Sequence, residues 1–182
     1  MIGSDPSLVV LAGVLKALRE SPLMEEAFAV ESADSPPVVR IYDDPPAAPG
    51  GEGATGDEGF PFGRIDFIEM NSVESVLIEE EHSGESDGVL DDPSEGFIGL
   101  SFFSRPRGED ATLGGKPEAM RLCKAARKVL AGGEIVLEAD EDGGTFRIVL
   151  AHDAGSRHFT DPDGVTAHSV LTVRFEIEPS EG

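Results

Sequence analysis

The chain has 182 residues, with 14 Lys and Arg against 36 Asp and Glu, for a formal net charge of -22. That balance argues against binding nucleic acid through its phosphates, which needs a basic footprint, and against attraction to anionic membranes. A single cysteine, Cys123, rules out an internal disulfide and a thiolate metal cage, and the length suits one hydrophobic core rather than two.

Asp5-Pro6 reads as a helix N-cap followed by proline at the first helical position. Leu8, Leu11, Leu15 and Leu18 recur at spacings of three and four, which predicts the apolar face of a first helix. Ser21-Pro22 ends it and opens a short second helix through Leu23, Met24, Ala27 and Phe28. A short strand is expected over 38–42, between Pro36-Pro37 and Pro45-Pro46. Residues 43–59 are almost entirely Asp, Pro, Ala, Gly and Glu, and residues 79–95 hold eight acids and no Lys or Arg. Both stretches are expected to be mobile loops. Strand-like composition fills 60–70 and resumes at 76–78.

Residues 97–103 predict a strand with Ile98, Leu100 and Phe102 on one face. A Gly-rich loop over 108–115 leads to a helix over 116–130. Its buried stripe is Ala119, Leu122, Ala126, Val129 and Leu130, and Gly132-Gly133 ends it. Cys123 lies in this helix and is expected to fill space. Arg121, Lys124, Arg127 and Lys128 share the opposite side, and with Lys116 the helix carries five of the chain's 14 basic residues.

Residues 135–137 and 146–150 flank Asp140-Glu141-Asp142-Gly143-Gly144 as a hairpin. From Val165 to Ile177 apolar and polar residues alternate, with Val170 the exception. At about 3.3 Å per residue this strand would run roughly 43 Å, so it is expected to project past its own core at one end. Asp161-Pro162-Asp163-Gly164 before it is a type I turn signal. The order of elements predicts an α+β fold over 1–182: an antiparallel or mixed sheet with two helices packed on one face.

No residues point to catalysis. Neither nucleotide-binding glycine motif is present, and Ser101-Phe102-Phe103-Ser104 lacks the glycine frame of a nucleophile elbow. His152, His158 and His168 cluster near Asp153, Asp161 and Asp163 without the spacing of a zinc helix, so these histidines are expected to be exposed and not ligands. Asp161-Pro162-Asp163-Gly164 lacks the later ligands of a calcium loop. No cofactor is expected. No run of about 18 apolar residues exists for a membrane span, and residues 1–5 lack the basic start of a signal peptide, so the protein is expected to stay where it is made.

Three segments together resemble one family. They are the opening helix with Arg40-Ile41-Tyr42-Asp43 and Phe60-Pro61-Phe62; Gly99-Leu100-Ser101-Phe102-Phe103-Ser104-Arg105 with the following helix; and the run from Phe159 to Leu171 leading into Val173-Arg174-Phe175. This order is similar to the tail terminator (tail-completion) proteins of long, non-contractile-tailed phages and of phage-like gene transfer agents. The long 43–59 loop and the acidic 79–95 stretch depart from that family's compact form.

The resemblance implies a virion structural protein, not an enzyme, assembled in the bacterial cytoplasm into the tail or neck of a particle. It implies a subunit of a homohexameric ring that caps the tail tube, stops its polymerisation and meets the head-side connector or stopper protein, while DNA passes without specific binding. Arg121, Lys124, Arg127, Lys128, Asp161, Asp163 and Arg174 are the candidate contact residues toward neighbouring subunits or partners. Two other readings stay open: another neck or tail-tube component, and a small metal- or ligand-binding module built on residues 152–168.

Overall fold

A computed structural model describes residues 6–29, 38–43, 60–71, 94–107, 113–131, 135–137 and 146–179. Helix α1 (Pro6–Arg19) starts at its proline, and α2 (Pro22–Phe28) starts at the next one, with Ser21 as N-cap. Strands β1 (Ile41–Tyr42), β2 (Phe62–Asn71) and β3 (Ser94–Ser104) follow. Short strands β4 (Pro106–Arg107) and β5 (Leu113–Gly114) lead into α3 (Gly115–Ala131). The chain finishes with β6 (Ile135–Leu137), β7 (Phe146–Thr160) and β8 (Ala167–Pro179).

Among the described residues the main sheet has six strands in the order β1-β2-β3-β8-β7-β6. Of the described pairs, β1 and β2 run parallel and the others antiparallel, so the sheet is mixed and the fold is α+β. β4 and β5 form a separate small ribbon. α3 lies across β3, β8 and β7, α1 lies over β1, β2 and β6, and α2 packs against α3. Strand alternation puts Ile98, Leu100 and Phe102 of β3 opposite Val173, Leu171 and Ser169 of β8, all buried beneath the helices. Leu122, Cys123, Ala126 and Leu130 of α3 close this core, with Cys123 buried as a space-filling thiol.

Several expectations change. The buried face of α1 is Val10, Val14, Leu15 and Leu18; Leu11 is only partly buried and Leu8 is 60% exposed. Both registers satisfy the 3.6-residue period, and the sheet beneath selects between them. Val129 is half-buried at the margin of the α3 stripe, whereas Glu118 lies inside it.

The strand expected to overhang does not. β8 pairs along Ala167–Pro179 with β7 and along Ala167–Ile177 with β3. Two neighbours of matching length make it a central strand. β7 itself runs 15 residues, extending the strand expected over 146–150 through His152 and His158 up to the Asp161 turn. The strand expected at 38–42 narrows to Ile41–Tyr42. Residues 44–59, 72–93 and 138–145 lie outside the described residues, and with them the strand expected at 76–78, the Asp140–Gly144 turn and most of both loops.

Candidate functional site

The helices cover one face of the sheet, and the opposite face carries the most organised side chains. Cross-strand register lines up Phe62 with Phe103, Phe103 with His168, and His168 with Phe159. Their rings form a row across β2, β3, β8 and β7. Phe62 and Phe103 stack at 4.8 Å, Phe103 and His168 stack at 4.1 Å, and His168 meets Phe159 at 4.4 Å and a tilted angle. Tyr42 of β1 extends the row beside Phe62 at 6.5 Å. The Arg64 guanidinium sits 5.6 Å from the Phe103 ring centre, and that of Arg105 sits 4.8 Å from Phe60. Stacked on one another, the inner rings spend their faces within the row. Phe159, at its end, is 42% exposed.

His168 is the hub. Its Nδ1 lies 3.1 Å from Asp161 Oδ1 and its Nε2 lies 2.9 Å from Ser101 Oγ. The Ser101 hydroxyl donates to Asp66 Oδ2, and Asp66 also accepts from Arg64 Nε at 2.7 Å. Asp66 falls on this face by alternation with Phe62 and Arg64, and the register shift between Ile65 and Phe67 leaves it without a paired residue in β3. The serine proton goes to Asp66, so the serine oxygen is left to accept from the ring. His168 is therefore enclosed, with its side chain 14% exposed, and not the exposed histidine expected.

Asp161, His168 and Ser101 follow the hydrogen-bond order of an acyl-transfer triad. The chemistry does not follow from that order. Ser101 lies mid-strand, 1% exposed, with its hydroxyl committed to Asp66, so a substrate carbonyl has no approach to it. What the cluster does is tie β2, β3, β8 and the β7–β8 turn together on the uncovered face.

That turn is built as its sequence predicts. Gly164 N–H donates to the Asp161 carbonyl at 2.9 Å, and Gly164 takes a φ of 72°, which suits glycine. Asp163 accepts from the Thr166 hydroxyl at 2.5 Å and from the backbone N–H groups of Thr166 and Val165 at 2.8 and 2.9 Å. Those bonds, led by the Thr166 hydroxyl, hold its carboxyl well below the usual carboxylate range, with Arg105 adding a smaller attraction.

A second network lies at the start of α3. Buried Glu118 accepts from Arg107 Nη1 and Nη2 at 2.8 and 2.7 Å and from Ser104 Oγ at 2.5 Å. It clamps the helix to β3 and β4.

The seven candidate contact residues do not form one surface. Arg121 leans toward Glu118 at 3.5 Å, and Arg127 donates to Ser156 Oγ of β7 at 2.8 Å, so neither simply faces solvent; Lys124 and Lys128 are exposed. Asp161 and Asp163 build the turn. Arg174 lies on the uncovered face, where Glu95 first and Glu176 second hold its guanidinium more firmly charged than usual. The sequence reading missed Asp66, Ser101 and Phe103 around His168; the one available signal was that Phe103 and His168 fall out of phase with the buried positions of their strands.

A cleft of about 480 Å³ opens beside the second β7 irregularity, lined by Gly155, Ser156, Arg157, Val170 and Thr172. Among the described residues no three His, Cys, Asp or Glu side chains are grouped to hold a metal ion. No helix of the described residues is long and apolar enough to cross a membrane. No protein-family model matches the chain, and no curated protein matches it.

Proposed function

We propose that this chain is a structural subunit of a phage or phage-like particle, one copy in a ring that caps the tail tube and joins it to the head side. One observation carries the reading: the segments that resemble tail terminators lie side by side in space. Gly99–Arg105 falls on and just after β3, its neighbour Phe159–Leu171 on the β7–β8 turn and β8, and Phe60–Phe62 at the start of β2 on the other side of β3. The helix of the second segment, α3, packs on β3 and β8.

The polar clusters favour a scaffold over a reaction centre. Their donors and acceptors are spent on one another, and their effect is to fix the uncovered face as a rigid surface. Acidity suits a channel wall, because carboxylates repel DNA phosphates and let a genome pass without adhering. The neck or tail-tube alternative shares this support; no observation favours the metal-binding module.

Deleting the gene in its parent particle is the test. Heads without tails, together with tubes of irregular or excessive length in electron micrographs, are expected. Head-joined tails of normal length in the deletion would overturn the reading.

A further inference from the structure

β7 is 15 residues long, yet β6 pairs only with its first three, Phe146–Ile148. From Ser156 to Thr160 no described strand pairs with its outer edge, while its inner edge is fully paired with β8. Such an edge presents a row of backbone donors and acceptors and templates strand addition. Proteins blunt exposed edges with charge, lysine above all, or with proline; Ser156-Arg157-His158-Phe159-Thr160 contains neither lysine nor proline, and its one formal charge, Arg157, falls by alternation on the uncovered face with Phe159.

Both flanks of this edge are prepared for side chains. On the uncovered face Phe159 is 42% exposed, the free end of the aromatic row. On the helix face, Arg127 touches Ser156, which places that flank of α3 along β7. Helical geometry puts Lys116, Met120 and Lys124 on the same flank as Arg127. Lys116 and Lys124 are exposed, and so is Met120, at 41%. An added strand would thus lay alternate side chains onto Phe159 on one side and onto Met120 between two lysines on the other.

We infer that the β7 edge and this flank of α3 form one docking surface for an extended acidic segment of a second copy of the chain. Charge selects the occupant. A chain at -22 repels itself at any average pair of surfaces, so two copies meet most favourably where one of them is locally basic. Lys116, Lys124, Arg127 and Arg157 make that place, and a chain with 36 acids supplies its complement. Because the edge and its occupant are different surfaces, the contact runs head-to-tail, and such contacts form rings where the subunit rotation closes and open filaments where it does not. The inference rests on the self-association contained in the ring reading and names the surface that performs it.

The test is sedimentation velocity on the full chain over a concentration series, at low and high salt. The parent should associate, more weakly as salt rises. Lys116→Glu with Lys124→Glu should weaken association at least about tenfold, as expected for two reversed charges at an interface. Phe159→Lys, which puts a lysine on the edge, should weaken it as well. Lys128→Glu makes the same kind of charge change further around α3 from Arg127 than Lys124 is, about 100° by helix geometry, and should weaken association less than the edge variants do. Circular dichroism checks that each variant is folded. A parent that stays monomeric, or association that the edge variants leave unchanged or that Lys128→Glu weakens equally, would overturn the inference. Tail length in particles carrying the same edge variants separates the two readings: association lost with normal tails counts against the capping role, and association unchanged counts against this surface alone.

Discussion

Removing the Glu118 carboxylate is the sharpest test of what holds α3 to the sheet. Its side chain is 5% exposed, and the partner Arg107 is 15% exposed. Glu118→Ala leaves a mostly buried guanidinium without its bidentate acceptor and strands the Ser104 hydroxyl, which is fully buried. Breaking a buried pair from one side costs about 3–5 kcal/mol, and the low end applies because Arg107 can still reach some water. A loss near 3 kcal/mol lowers the melting temperature by roughly 6–12 °C in a domain of this size. Replacing both ends, Arg107→Met with Glu118→Leu, removes the stranded charge as well. The double variant should be destabilised by less than the sum of the singles, with a coupling of at least about 1 kcal/mol. Urea denaturation of Glu118→Ala and of the four proteins of the cycle (parent, Arg107→Met, Glu118→Leu and the double) measures this. A Glu118→Ala cost under 1 kcal/mol, or simple additivity, would refute the claim that this pair is a structural clamp.

Two further outcomes are expected. Asp163→Asn should destabilise the β7–β8 turn in a pH-dependent way. The folded carboxyl titrates below its ordinary value of 3.8, so its contribution is complete above that pH and fades as pH falls below it. Parent and variant should therefore differ equally at pH 7 and pH 5 and converge in strong acid; a gap that closes between pH 7 and 5 would contradict the assignment. Gly96→Ala drives a methyl group into the Glu69 carbonyl oxygen and the Phe175 ring, so thermal melts should show a loss of about 1–3 kcal/mol, whereas an unchanged melt would mean that β2 and β3 can separate there freely.

The sequence determined whatever depends on near neighbours along the chain. The proline starts of α1 and α2, the stripe of α3, the alternation of β8 and the Asp161–Gly164 turn are local, because side-chain period and turn chemistry act over a few residues. Which face of α1 is buried was not local. Leu8 and Val10 compete in the same period, and the sheet against which α1 packs chose Val10 and Val14. The length of β7 was hidden because Gly155 and the polar residues around it break the apolar pattern that marks 146–150. Pairing with β8 sustains the strand through register shifts at 148/150 and 153/155. The cluster at His168 was out of reach for the same reason. Ser101 stands 67 residues from His168, and Asp66 a further 35, so only long-range pairing brings the three together. Alternation tells which side of a strand a residue occupies. Only the cross-strand register, fixed by long-range pairing over the whole sheet, decides which residue it meets there.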